Sequence, residues 1–264
     1  MKITHDFHIH TSLSLCAKET ATLQHYIKKA KELGLKKIGI ADHMWDATVP
    51  GARSWYQKQG FDHISKIREE LASIDTEGVQ VYLGCETEYY APEHRIALNE
   101  AVAEQLDFVL APNSHTHLAM PKEYYEPYQK HADYMLRAWF DILTCNESKY
   151  VTAIPHPFLA VCCPYSYRKV MQIITDEQYR ECFSLAKEKN VAIEINPNHY
   201  AHFSLAKVYE DEFMRMNTIA KECGCKFIVG SDAHSDTGHD KFHYAYIAAS
   251  LLELRDEDFA DIAR

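Results

Sequence analysis

The chain has 264 residues, 47% of them hydrophobic and 25% charged, the balance of a globular fold that buries a sizeable core without disulfides. Its formal charge of −10 argues against an unspecific grip on long nucleic acid or on an anionic membrane. No stretch approaches the ~18 uncharged apolar residues of a membrane span, and Met1-Lys2-Ile3-Thr4-His5-Asp6 lacks the apolar run of a signal peptide. Eight cysteines lie at irregular spacings, and the pairs Cys162-Cys163 and Cys223-Cys225 fit no zinc-finger pattern. They are expected to be free thiols in a reducing compartment, which makes the cytoplasm the expected location.

The first near-continuous apolar run, residues 3–8, predicts a strand that ends on His8 and His10. Residues 22–33 follow with helical period, Leu23, Ile27, Ala30 and Leu33 forming one stripe and Gly34 a cap. A second strand over 37–41 leads to His43, and the Pro- and Trp-containing stretch 48–59 reads as a long loop before a helix over 61–74. The third strand, 79–85, delivers Glu86 and Glu88, and a helix is expected over 93–106. The fourth, 108–111, leads to His115 and His117, then to a Tyr-rich loop over 118–131 and a helix over 134–143. The fifth, 150–154, ends at His156, and a helix follows over 176–189. The sixth, 191–195, leads to Asn196, Asn198 and His199, before a helix over 212–223. The seventh, 227–230, presents Asp232 and His234, and a helix over 244–254 completes the pattern.

Seven strand–helix alternations without a linker predict one α/β domain over 1–264, closed or nearly closed as a barrel; an open doubly wound sheet is the alternative. Each strand delivers a ligand-type side chain just beyond its C-terminal end, the rim where parallel α/β folds build active sites. Residues two apart on a strand face the same side, so His8 with His10, His115 with His117, and Asp232 with His234 can each converge on one point. So many imidazoles and carboxylates gathered without a cation would leave buried polar groups unsatisfied. The donor set suits zinc, manganese or iron, and its size exceeds the needs of one ion, so two or three divalent transition-metal ions are expected.

The ordered set Asp6-Phe7-His8-Ile9-His10-Thr11, Ala41-Asp42-His43, Glu86, Ser114-His115, His156-Pro157 and Ser231-Asp232-Ala233-His234 resembles the PHP (polymerase and histidinol phosphatase) superfamily. The resemblance implies a distorted seven-stranded βα barrel of TIM-like form with a trinuclear metal site. It implies that His8, His10, Glu86 and Asp232 hold the first ion, that His43 and His234 hold the second, and that Glu86 bridges to a third held by His115 and His156. Many members place a further His six residues after the HxH pair; here Cys16 stands there. Cys16 is either a thiolate ligand to the second ion or a small packing residue.

The activity implied is hydrolysis of the phosphate monoester of a small metabolite, histidinol phosphate foremost, by a metal-bridged hydroxide attacking in line. His117 and His199, at the rim but outside the implied ligand set, are candidate general acids. Arg53 and Arg168 are candidates for the phosphate, because a guanidinium fork matches its oxygens. Trp45, Trp55, Tyr124, Tyr125 and Tyr128 are candidates to stack on a ring of the substrate. The competing enzyme reading is a phosphodiesterase or exonuclease acting on nucleotides or short oligonucleotides. Amidohydrolase barrels also open on an HxH pair, but Glu86 and the Ser-Asp-Ala-His element fit that class poorly. A catalytically silent accessory domain is the non-enzymatic alternative.

Overall fold

The computed structural model describes residues 2–161, 167–201 and 211–264; the Cys162-Cys163 pair lies outside the described residues. Seven parallel strands form the core sheet: β1 (His5–Ile9), β2 (Lys37–Ile40), β3 (Gln80–Glu86), β6 (Phe108–Leu110), β7 (Ala153–Ile154), β8 (Ala192–Ile195) and β9 (Phe227–Val229). A separate antiparallel hairpin, β4 (Tyr89–Tyr90) with β5 (Arg95–Ile96), stands at the rim after β3. The strands of the core sheet adjoin in chain order with no reversal, which excludes the doubly wound alternative. The sheet curls until the segment after β9 meets β1, where Asp232 N donates to His8 O at 2.8 Å and His10 N to Ala233 O at 2.9 Å.

The helices that cover the barrel include α1 (Leu23–Leu33), α6 (Tyr128–Thr144), α7 (Tyr167–Ile173), α8 (Asp176–Glu188), α10 (Glu212–Glu222) and α11 (His243–Leu251). Among the described residues, five short α-helical segments stand beside them: α2 (Phe61–Ile64), α3 (Lys66–Leu71), α4 (Glu100–Ala103), α5 (Thr116–Ala119) and α9 (Pro197–Tyr200). Local chemistry sets several boundaries. Thr22 Oγ1 accepts from His25 N to cap α1, and Gly34, at φ 71°, ends it as expected. Thr175 and Gln178 form a reciprocal capping box on α8.

The structure departs from the pattern-based reading at 93–106. Pro92 and a left-handed His94 (φ 54°) turn the chain into the β4–β5 hairpin, and only α4 of the expected helix forms. The expected helix over 61–74 is split into α2 and α3 at Ser65. The loop expected over 118–131 is shorter, because α6 begins at Tyr128.

Below the mouth, the barrel is filled by aromatic rings that need glycine opposite them. Phe7 and Phe108 meet edge-on at 5.3 Å, and a Cβ at Gly39 would lie 2.6 Å from Phe108 and 2.7 Å from Phe7. The four residues Asp6 to Ile9 of β1 are matched by the three residues Ile38 to Ile40 of β2. An irregularity of this kind re-aims side chains, which allows Phe7 to serve the aromatic layer while His8 reaches the mouth.

Candidate metal centre and active site

Glu86, the last residue of β3, is the centre of the arrangement. One carboxylate oxygen, Oε2, lies 3.6 Å from His8 Nε2, 3.5 Å from His10 Nε2 and 3.1 Å from His43 Nδ1. The other, Oε1, lies 3.4 Å from His115 Nε2 and 3.0 Å from His156 Nε2. Asp232 closes the first side, its Oδ1 3.4 Å from His8 Nε2 and 3.3 Å from His10 Nε2. His234 stacks on His10 with ring centroids 4.2 Å apart. Thus eight of the nine residues expected to bind metal converge at one mouth of the barrel: His8, His10, His43, Glu86, His115, His156, Asp232 and His234.

The donor atoms are grouped as cations require. Within each of the triads His8–His10–Asp232, His10–His43–His234, His8–Glu86–His156 and His43–Glu88–His115, one ligand atom per residue lies within 4.8 Å of the others. His8 Nε2 and His10 Nε2 approach to 2.9 Å, two ring nitrogens directed at a shared point. The near neighbours of both buried Glu86 oxygens are imidazole nitrogens, and no hydroxyl or backbone N–H among the described residues donates to either. An ionised carboxylate left so is costly, and a divalent cation on each side is the direct remedy. The residues therefore fit divalent metal.

The electrostatics agree. Burial works against ionising Glu86, yet the imidazoles of His115, His8 and His43 outweigh it and hold the carboxyl well below its usual range. Burial likewise opposes charge on Asp232, and His8 and His10 overcome it. Burial opposes protonation of His115, but Glu88 and Glu86 prevail and raise it to about 9. His10, by contrast, is lowered to about 3 by burial and by His234.

Above the cluster lies a cavity of about 390 Å³, its floor made by the donor residues and its apolar walls by Trp55, Leu118, Leu159 and Val161. His117 lines it, with a buried Nδ1 that lacks a partner among the described residues; burial, then His115, lowers its pKa to about 4. His199 sits on α9 behind the mouth, stacked on Phe213 at 3.9 Å, and burial lowers it to about 3. Arg53 lines a neighbouring cavity of about 170 Å³ together with Trp45, Tyr56, Tyr90 and Glu88; Leu118 walls both cavities. Arg168 belongs to α7, where Asp211 engages it at 3.0 Å and Tyr167 lies under its guanidinium. Of the five aromatic candidates, Trp55 alone walls the larger cavity, edge-on to His43 at 5.1 Å. Tyr124 packs on Tyr134, Tyr125 on His131, Tyr128 lies beneath Lys169, and Trp45 is buried in a rim cluster with Val49 and Tyr56.

Cys16 reaches the cavity on a loop anchored by Asp42, which accepts from Thr11 N, Thr11 Oγ1 and Ser14 Oγ at 2.7, 2.7 and 2.6 Å. Cys16 is exposed and its sulfur joins none of the donor triads; partial desolvation of the thiol, then Glu86 and Asp232, push it up to about 12. A cation beside His43 and His234 would reverse that electrostatic setting and favour the thiolate. Cys16→Ser is expected to lower the metal content of the purified protein, read by elemental analysis; an unchanged count assigns Cys16 to the wall alone.

Two carboxylates escaped the expected ligand set. Glu88 Oε1 takes His115 Nδ1 at 2.5 Å and also the hydroxyl of Tyr56. Its strand-end position beside Glu86 was visible, but its partner was not. Glu194 is buried within the apolar strand β8 and bonds His8 Nδ1 at 2.6 Å. A charged residue inside the run Ala192-Ile193-Glu194-Ile195 was the available signal.

The PHP domain family model matches residues 6–198, and the chain belongs to that family. A probable phosphatase of Thermoanaerobacter sp. (strain X514) is 29% identical over 93% of this chain and 84% of its own length. One of Clostridium acetobutylicum is 26% identical over 89% and 80%. Among solved structures, the histidinol phosphate phosphatase of Lactococcus lactis, complexed with zinc, L-histidinol and phosphate, superposes with a TM-score of 0.64 at 15% identity. The match covers 96% of this chain and 95% of that one, and it shows the shared barrel.

Proposed function

We propose that this chain is a metal-dependent phosphatase that hydrolyses the phosphate monoester of a small metabolite. The observation that carries the reading is Glu86: a buried carboxylate whose two oxygens face separate groups of imidazoles beneath an open cavity. The curated relatives described as probable phosphatases support it, as does a structural relative whose complex contains zinc and phosphate. In this reading His8, His10, Asp232 and Glu86 hold one ion, His43 and His234 a second, with Cys16 as a further ligand, and His115 and His156 a third. Bound zinc, manganese or iron would acidify water and neutralise phosphate oxygens.

The chain's own residues do the rest. Trp55, Leu118, Leu159 and Val161 narrow the mouth and shield the phosphorus from bulk water. His117 stands in the cavity wall, so we assign it ahead of His199 as the donor to the leaving oxygen. Arg53, which lines the adjoining cavity, would meet the organic part of the ester, whereas Arg168 lines neither cavity and is engaged by Asp211.

A cavity of about 390 Å³ and a charge of −10 favour a small ester over a polynucleotide. No helix among the described residues is long and apolar enough to cross a membrane. Six described cysteines are unpaired, which supports a reducing, cytoplasmic setting. The test is a screen of phosphate monoesters, histidinol phosphate included, with manganese- or zinc-loaded protein. Metal-dependent release of inorganic phosphate from at least one small monoester is expected. Cleavage of nucleotide diesters without any monoester turnover would overturn the reading in favour of a phosphodiesterase.

A further inference from the structure

A carboxylate that the metal cluster does not use lies directly behind it. Glu194 is buried in the middle of β8, whose other side chains are apolar. Its Oε2 is 2.6 Å from His8 Nδ1, a residue 186 positions away in the chain. Its Oε1 accepts the backbone N–H of His156 at 3.2 Å. His156 has a positive φ of 27°, a conformation that L side chains seldom adopt and that persists only where the surroundings hold it. Space has been kept for this arrangement: a Cβ at Gly230 would fall 2.5 Å from Glu194 Oε2 and 2.6 Å from His8 Cβ.

We propose that Glu194 is the positioning residue of the metal centre, fixing through one carboxylate both the ring of His8, in β1, and the backbone of His156, just beyond β7. The inference rests on the metal-centre reading given above. A carboxylate oxygen only accepts hydrogen bonds, so His8 must present its hydrogen at Nδ1. The lone pair is then at Nε2, the atom that faces Glu86 and Asp232. The second oxygen pins the His156 backbone, which directs that ring's Nε2 at Glu86 Oε1. Ser114 Oγ, 2.6 Å from His156 Nδ1, completes the orientation of that ring.

Glu194→Gln distinguishes this role from simple packing, because it conserves volume. Glutamine has one acceptor oxygen for two N–H donors. Turned one way, its amide opposes the His156 N–H. Turned the other, it donates to His8 Nδ1 and forces the hydrogen onto Nε2, where it blocks a ligand. The measurement is zinc and manganese affinity of metal-free protein, by competition with a chromophoric chelator, beside the thermal unfolding of the same samples without metal. Glu194→Gln is expected to weaken the tightest-bound ion by about 10- to 100-fold, with the metal-free unfolding temperature little changed. Glu194→Asp keeps charge and both acceptors but retreats by one methylene, so its affinity should lie between the two. It serves as the reading if the glutamine variant does not fold. Affinity within twofold of the parent in the folded variant overturns the proposal. A parent protein that binds neither metal instead overturns the metal-centre reading itself, so the two failures are distinguishable.

Discussion

Glu86→Gln is expected to leave a folded protein with more than about 100-fold less phosphatase activity and at least one fewer metal ion per chain. The substitution preserves shape and removes the one property that the geometry uses. Oε2 faces His8, His10 and His43, while Oε1 faces His115 and His156, so in the proposed site each oxygen would supply a lone pair to a cation on its own side. The glutamine amide supplies a lone pair on one side only; on the other it presents an NH2 group, which offers nothing to a cation. Truncation of a wall residue such as Leu159 would alter substrate fit and leave the metal count intact. Measuring both quantities therefore separates a bridging ligand from a residue that shapes the cavity. Retention of full metal content and activity in Glu86→Gln would remove the central element of the proposed site.

Chelation should abolish activity and lower the unfolding temperature together. A ligand that binds only the folded state at about 100 times its dissociation constant contributes about 2.7 kcal/mol. For a chain of this size that corresponds to roughly 5 to 10 °C per ion. The effect should also depend on pH, with a sign that follows from His115. Its folded pKa is raised from 6.5 to about 9 because Glu88 and Glu86 outweigh the opposing burial. The stability it contributes to the metal-free protein is thus fully present below pH 6.5 and is lost as pH rises through about 9. Metal ions compete with those same protons, so their affinity increases over the same interval. The gap between metal-loaded and chelated melting temperatures is therefore expected to widen from pH 6.5 to 9, by calorimetry on paired samples. A constant or narrowing gap would mean that the cations bind elsewhere.

Much of the architecture was legible because its signals are local. Seven apolar runs, each followed closely by a histidine, carboxylate or amide, are patterns of residue type and spacing, and each of the seven overlaps a strand of the core sheet. The run at 150–154 contracts to Ala153–Ile154, since the residues before it form a helical turn from Asn146 to Tyr150. The failure at 93–106 has an identifiable cause. Its apolar spacing suits a helix, but Arg95 bonds Leu98 O, Asn99 Oδ1 and Glu147, contacts that hold a hairpin and turn in place. Tertiary hydrogen bonds there override periodicity.

The metal-type residues were identifiable one by one, but their second partners were not. Glu194 reads in sequence as a charge in a strand, and nothing local indicates that it faces His8. Asp6 was noted only as part of a motif, yet it accepts from Ser231 N at 2.9 Å and His239 Nε2 at 2.8 Å, tying the last strand end to the first. Trp45 and Trp55 are equal stacking candidates in the sequence, but only Trp55 walls the larger cavity, while Trp45 lines the smaller one beside Arg53.

The sequence by itself determined the strand–helix alternation, the family and the identity of the residues at the strand ends, because each of these depends on side-chain type and on spacing within one element. Closure of the barrel decided everything that depends on distance between elements: which oxygen of Glu86 faces which imidazoles, which carboxylates stand behind them, and which rim side chains wall the cavity. Hydrogen bonds and ion contacts act over about 3 Å. Partners separated by a hundred or more positions therefore acquire their roles only when the last strand returns to the first.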